Sequence, residues 1–468
     1  MNKIKILFIP RLTIYSMLVI IAASSCKKFI EIPSPKTSIT SAEVFRDSLA
    51  ATSAVLGLYT HLTAVNTGVF MYGGITIATG LSADELISNT GSVDESAFYT
   101  NGLNSNISTI AQWWQTAYLT IYQANACIEG ISASKGISAS CKAQLTGECK
   151  FMRSLVYFNL VNIYGAVPLI TTSDYRINQS VHRTPVDSVY TQIINDLADA
   201  QNTLHINYLT AGRVRPNQSV ATALLAKVYL YRQDWAKAAV AAGQIINSAT
   251  YALEPDLNNV FLSGSQEAIF QLIPVQAGAE TVEGSTFVPA DPTVIPSYTI
   301  NSYLLNAFEP GDQRFSRWLN SSQVNGDTYY YPFKYQFGYD GLTPPKNYYI
   351  LLRLAEQYLI RAEANTESGN LAEGVNDLNV IRNRAGLPNT TASTKDALLS
   401  AIYHERQIEL FCELGNRWYD LKRTGLTKTV LPAITTAKGG TWSDSWQLYP
   451  VPFQELLTNP FLKQNTGY

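Results

Sequence analysis

The chain has 468 residues, 46% of them apolar, with 34 basic and 36 acidic side chains and a formal charge of −2. That length accommodates two or three domains, and the apolar share is ample for a large core. A near-neutral balance without clustered Lys and Arg excludes the footprint of a nucleic-acid binder. Four scattered histidines (His61, His182, His205 and His404) and no C-x-x-C pair give a zinc site nothing to build on.

Residues 1–25 read as a leader outside the fold. Lys3, Lys5 and Arg11 give a positive start, and residues 12–23 are apolar apart from Thr13 and Ser16, a run too short for a comfortable membrane span. Ala23-Ser24-Ser25 then precede Cys26, a pattern that resembles a bacterial lipoprotein box with Ala23 where Leu is usual. The resemblance implies cleavage before Cys26 and lipidation of its thiol. An ordinary secretory signal followed by an unrelated cysteine is the alternative. Several acyl chains on one cysteine anchor stably, where a single chain binds marginally. Residues 26–39, with Pro33 and Pro35, predict an extended tether.

Residues 40–250 predict a helical region. Thr40 or Ser41 caps a first helix carrying Val44, Phe45, Leu49 and Leu56. Residues 66–106 are rich in Gly, Ser, Asn and Thr, and predict a functional loop insertion or covering flap. Asp84-Glu85 within it are either calcium ligands or, more simply, a solvated acidic loop or helix cap. Helices are predicted over 109–131 and 143–164, the second stopped by Gly165 and Pro168, and over 186–204 after Pro185. Cys127 could pair with Cys141 or Cys149 in an oxidising location, or these thiols are small buried apolar groups.

Residues 219–248 form a helical hairpin in which Ala226 and Ala238 stand twelve apart and Asp234-Trp235 opens the second helix. Residues 351–387 repeat the arrangement. Leu351, Leu354, Ala355, Tyr358, Leu359 and Ala362 make one apolar stripe, Gly369-Asn370 stops it, and Val375, Leu378 and Ile381 carry the next. Ala362 and Gly374 are again twelve apart, one small residue per helix, which lets two backbones approach closely. Both stretches resemble the tetratricopeptide helix pair; two unrelated amphipathic hairpins are the alternative. Between them, residues 251–347 are rich in proline and aromatic residues, with short β-like runs such as 268–273. They predict an irregular ligand-side insertion lying over the helices, where binding groups usually sit. Residues 348–468 return to helix, with a mixed-charge run from Glu405 to Arg423 and a Pro-rich end packed across the surface. The fold class is therefore mostly α: a tetratricopeptide-like helical-hairpin scaffold with a large irregular loop and short-strand insertion.

Several stretches in order resemble the SusD/RagB family of Bacteroidetes surface lipoproteins. They are Cys26-Lys27-Lys28-Phe29; Tyr118-x-x-Ile121-x-x-Ala124-Asn125; Phe151-Met152-Arg153 through Tyr164-Gly165-x-Val167-Pro168-Leu169; Asn379-x-Ile381-Arg382-x-Arg384-Ala385-Gly386-Leu387; Arg417-Trp418-Tyr419-Asp420-Leu421; and Tyr449-Pro450-Val451-Pro452. Asn416 stands where the family often has His. Residues 66–104 and 280–345, where ligand choice lies in the family, match less closely. The resemblance implies a SusD-like fold, a lipid-anchored and surface-exposed place on the outer membrane, and no cofactor or metal. It also implies a partner, a SusC-like TonB-dependent transporter, over which the protein hinges to deliver oligosaccharides or, in some members, peptides.

The expected ligand contacts are Tyr99, Tyr298, Trp318, Tyr329 and Tyr331, with Asn101 and Asp84 as polar partners. Aromatic faces cover the C–H side of a sugar while polar groups bond its hydroxyl rim. Packing of the insertion on the scaffold is the alternative for each. Trp114 and Trp418 are assigned to the core. A glycoside hydrolase would need two carboxylates, and Glu405 with Glu409 stand one helical turn apart, but among Arg406, Arg417 and Arg423. A buried charge network explains that pair better. A repeat scaffold that binds only proteins is the third reading.

Overall fold

The computed structural model describes residues 41–63, 70–275, 278, 280–338 and 345–468. The leader, Cys26 and the tether lie outside the described residues. Residues before Phe45 contribute one helical turn, Ser41–Val44. From Phe45 on, the chain is a unit of its own.

Three helices, α1 (Ser48–Thr63), α2 (Gly74–Ser82) and α3 (Val93–Tyr99), lead into two 26-residue helices, α4 (Ser108–Ala133) and α5 (Ala139–Tyr164), packed on each other. α6 (Val186–Thr203) lies along α5. The first predicted hairpin is α7 (Gln218–Tyr231) and α8 (Trp235–Ile246), with Asn217 and Asp234 as N-caps accepting from Val220 and Lys237 amides. The second is α9 (Leu354–Glu367) and α10 (Leu371–Arg384). α8 packs on α9, so the two hairpins stack although a long stretch of sequence separates them. α11 (Lys395–Glu409), α12 (Asn416–Arg423) and α13 (Thr427–Ala437) follow, with a last short helix at Phe453–Thr458.

Small residues set the hairpin spacing, as the sequence predicts. Ala226, Ala238 and Ala362 are fully buried. A Cβ on Gly374 would stand 2.2 Å from Thr366 Oγ1 and 3.1 Å from the Ala362 carbonyl oxygen. Leu351 departs from expectation: it sits in strand β8 (Tyr349–Arg353), and the helix begins at Leu354. A short apolar run satisfies both periods, and pairing with a distant partner decides between them. That partner is β4 (Ala268–Leu272), antiparallel to β8, and every residue of both strands is buried.

Much of the described part of 251–347 is therefore built into the core instead of lying over it. Phe261, Phe270, Trp318 and Tyr335 belong to the same apolar cluster as Trp113, Tyr164 and Trp418. Among the described residues the other strands form three further antiparallel pairs: β1 (Leu86–Ser88) with β5 (Tyr298–Ile300), β2 (Val167–Pro168) with β3 (Arg183–Thr184), and β6 (Leu319–Val324) with β7 (Asp327–Pro332). Residues 70–106 likewise hold α2, β1 and α3 where the sequence predicts a loop insertion or flap.

A buried ionic layer ties this region to α11. Arg353 reaches Glu267 at 2.8 Å, Glu409 at 2.6 Å and Glu413 at 2.8 Å. Arg314 reaches Asp312, Glu405 and Glu409 at 2.8, 2.6 and 2.9 Å, and Arg384 adds pairs to Glu267 and Glu409. Glu405 and Glu409 are thus sequestered and ion-paired, the opposite of what a glycosidase acid requires. The Pro-rich end crosses the C-terminus of α5. Tyr449 N donates to the Ile163 carbonyl, Asn465 Nδ2 to the Tyr164 carbonyl, and Arg183 to Lys463 O and Asn465 Oδ1.

Candidate ligand site

α3 owes its position to its own first turn. Ser92 caps it, accepting from Glu95 N at 3.4 Å. Glu95 then gathers the surrounding chain: Oε2 accepts from Ser88 Oγ at 2.5 Å and Thr90 Oγ1 at 2.6 Å, and Oε1 accepts from Tyr298 OH at 2.5 Å. Asp94 accepts from Ser108 and Thr109 at the start of α4. One helix of seven residues is thus tied to β1, β5 and α4.

Beside it opens a cleft of about 660 Å³ lined by Ser88, Ser92, Ser96, Tyr99, Thr100 and Asn104 among others. Its lining is hydroxyls, an amide, glycines and apolar groups, with no charged side chain. Tyr99 is half-buried, and Val93, at 84% exposure, stands open beside it. The Tyr99 ring has Lys438 Nζ 5.0 Å from its centroid. Lys438 donates to the Leu81 and Ala83 carbonyls at the end of α2. Burial pulls its ammonium down to about 7. Gly440 supports the same loop: a Cβ there would stand 2.1 Å from the Thr100 carbonyl oxygen.

The expected contacts fall into distinct roles. Tyr99 lines the cleft, and Tyr329 is half-buried on β7 opposite Ser322. Asn101 is buried, and its Nδ2 donates to Ser82 O and Thr435 Oγ1, which positions the turn after α3. Tyr298 is buried and pins Glu95 from beneath. Trp318 has no exposed surface: its Nε1 donates to Leu257 O at 3.0 Å, and Lys334, Arg353 and Arg384 approach its ring at 4.7–5.9 Å. The ionic layer needs that ring, which removes it from the surface. Tyr331 is also buried, against Phe333.

Asp84 is not a solvated loop residue. It is buried in a two-pronged pair with Arg417 at 2.8 and 2.6 Å. Glu85 beside it accepts from Cys412 N, and burial, with Asp84 adding repulsion, pushes its carboxyl up to about 8. Among the described residues no group of three His, Cys, Asp or Glu is placed to hold a metal ion. Cys127, Cys141, Cys149 and Cys412 are all free thiols, so the disulfide that the sequence allows is not formed. Trp114 and Trp418 lie in the core. Glu95 is the residue the expectation missed. Its signal was local, because Ser92-x-x-Glu95 is a capping-box spacing.

Helical hairpins stacked beside a short-strand layer, with an uncharged open cleft at one helix, define a tetratricopeptide-like class of scaffold protein. Residues 48–230 match a family described as "Starch-binding associating with outer membrane", and residues 316–468 match the SusD family, together well over half the chain. The chain belongs to the SusD/RagB family. A SusD-like protein of Formosa agariphila is 28% identical over 416 residues, covering 77% of this chain and 81% of that one. A SusD superfamily protein from Bacteroides vulgatus superposes with a TM-score of 0.80 at 23% identity, over 91% of this chain and 100% of that one. A laminarin-binding SusD-like protein superposes with a TM-score of 0.77 at 25% identity, over 90% and 100%. Among the described residues no helix is long and apolar enough to cross a membrane.

Proposed function

We propose that this protein captures a neutral oligosaccharide at the outer-membrane surface and hands it to a SusC-like TonB-dependent transporter, making and breaking no covalent bond. The cleft at α3 carries the reading. It offers hydroxyls, an amide and one tyrosine face, and no charge that would select an anionic or cationic ligand. The match to a starch-binding family and the likeness to a laminarin binder support the ligand class. Glu405 and Glu409, the pair a hydrolase would use, are enclosed and paired with arginine. Anchorage through Cys26 and the transporter partner are part of the same proposal, on the strength of the family.

Affinity electrophoresis of the full chain against neutral polysaccharides, laminarin and starch included, tests the reading. Retardation is expected on at least one. Tyr99→Ala should weaken it about tenfold, since an aromatic contact contributes about 0.5–1.5 kcal/mol beyond its buried area. Unchanged mobility on every polysaccharide, together with binding of short peptides, would favour a peptide ligand instead. Release of reducing ends would show hydrolysis. Cys26→Ala should abolish labelling by radioactive fatty acid, and a barrel protein should co-purify after gentle detergent extraction.

A further inference from the structure

A second uncharged cleft, of about 550 Å³, opens where the C-terminal ends of α6 and α8 meet the N-terminal end of α7, and it shares no lining residue with the cleft at α3. Its wall is mostly amide and hydroxyl side chains with Ile206 and Ile245 between them, and no Asp, Glu, Lys or Arg. Most of these groups are already committed. Asn217 caps α7 and donates to Ile206 O at 2.8 Å, and Gln201 Nε2 donates to Thr222 Oγ1 at 2.7 Å. Three are not: the exposed side-chain amides of Asn202, Asn207 and Gln244 have no hydrogen-bond partner among the described residues. They rim a tyrosine that cannot swing away. Tyr208 OH donates to Ile269 O at 2.6 Å and lies 2.6 Å from Tyr251 OH, which fixes a half-buried ring in the wall beside Ile206.

We infer that this cleft is a second saccharide-binding site, specific for neutral sugar rings. A free amide presents two N–H donors and one carbonyl acceptor, which matches the paired donor and acceptor of neighbouring ring hydroxyls. A fixed aromatic face supplies the apolar side at little entropic cost. The volume falls within the range of small-molecule sites, about 300–1,000 Å³. A phosphate, sulfate or uronate would find no cation in the lining, and the Arg213 guanidinium behind it is committed to the Thr250, Gln266 and Ala268 carbonyls. The choice of a saccharide over another neutral polyol rests on the function proposed above. Two separate sites on one chain raise the effective affinity for a polymer that reaches both.

The test is the number of ligand equivalents bound, by calorimetry, with the full chain and a panel of neutral gluco-, xylo-, manno- and galacto-oligosaccharides. Wild type should bind two equivalents of at least one probe. Tyr99→Ala should retain one, the double variant Asn207→Ala with Gln244→Ala should retain the other, and the combined variant none. None of the three side chains is fully buried, and an unchanged melting temperature checks the fold. If wild type binds one equivalent that Tyr99→Ala removes, or if the double amide variant still binds two, this inference fails while the proposed function stands. If the single equivalent is lost only in the amide variant, the second site is real and the cleft at α3 is not a site. Binding of no probe overturns both.

Discussion

Arg353 commits one guanidinium to three carboxylates in a space that water does not reach. Burial pushes the Glu409 carboxyl up, and Arg384, Arg353 and Arg314 together overcome that and hold it well below its usual range. Removing one partner leaves the others charged and enclosed. Arg353→Met should therefore cost about 3–5 kcal/mol, read as a fall in the urea midpoint. Glu85 and Glu283 behave oppositely. Each is buried, which raises its carboxyl from the usual value of 4.5 to about 8. The folded chain then holds protons that the unfolded chain has released, so the stability these two groups contribute is full below about pH 4.5 and is lost as pH rises to about 8. Melting temperature should fall across that window, and Glu85→Gln should flatten the slope; an unchanged slope would remove Glu85 from the account. These roles were hard to read in the sequence. Asp84, Glu85 and Trp318 have the composition of surface binding groups, and the partners that enclose them, Arg417, Cys412 and Arg353, arrive from far along the chain. Tyr99 was legible as an aromatic side chain in a polar, loop-rich stretch, whereas Glu95 was missed although its capping spacing to Ser92 is local.

Among the helices, the hairpin α9–α10 depends on one missing side chain. Gly374 lies so close to Thr366 and the Ala362 carbonyl that any Cβ collides. Gly374→Val should push the two helices apart and cost about 1–3 kcal/mol, lowering the melting temperature. The equivalent change at an open glycine such as Gly264, where a Cβ would meet nothing within 4 Å, should cost little. Both hairpins could be read directly, since apolar spacing and twelve-residue pairing of small residues are properties of neighbouring turns. The strand β8 could not. Its five residues fit a helical stripe equally well, and only pairing to β4 makes them a strand.

The two family matches do not divide the protein into two bodies. One apolar cluster runs through Trp113 and Tyr164 in the first matched stretch, Phe270 in between, and Trp418 and Val451 in the second. Unfolding of this unit should be a single transition, with tryptophan fluorescence and far-ultraviolet dichroism coincident in urea. A separate early step confined to one half would show that the shared cluster does not couple them. The end of the chain adds a temporal consequence. The carbonyls of Ile163 and Tyr164 and the guanidinium of Arg183 find their partners on Tyr449, Lys463 and Asn465. A ribosome delivers those partners late, so at the last turn of α5 the Ile163 carbonyl waits open and the Tyr164 carbonyl has only Arg183 while the rest emerges. A nascent polypeptide arrested before Tyr449 should stay vulnerable to proteases at that helix end, however complete its earlier helices are.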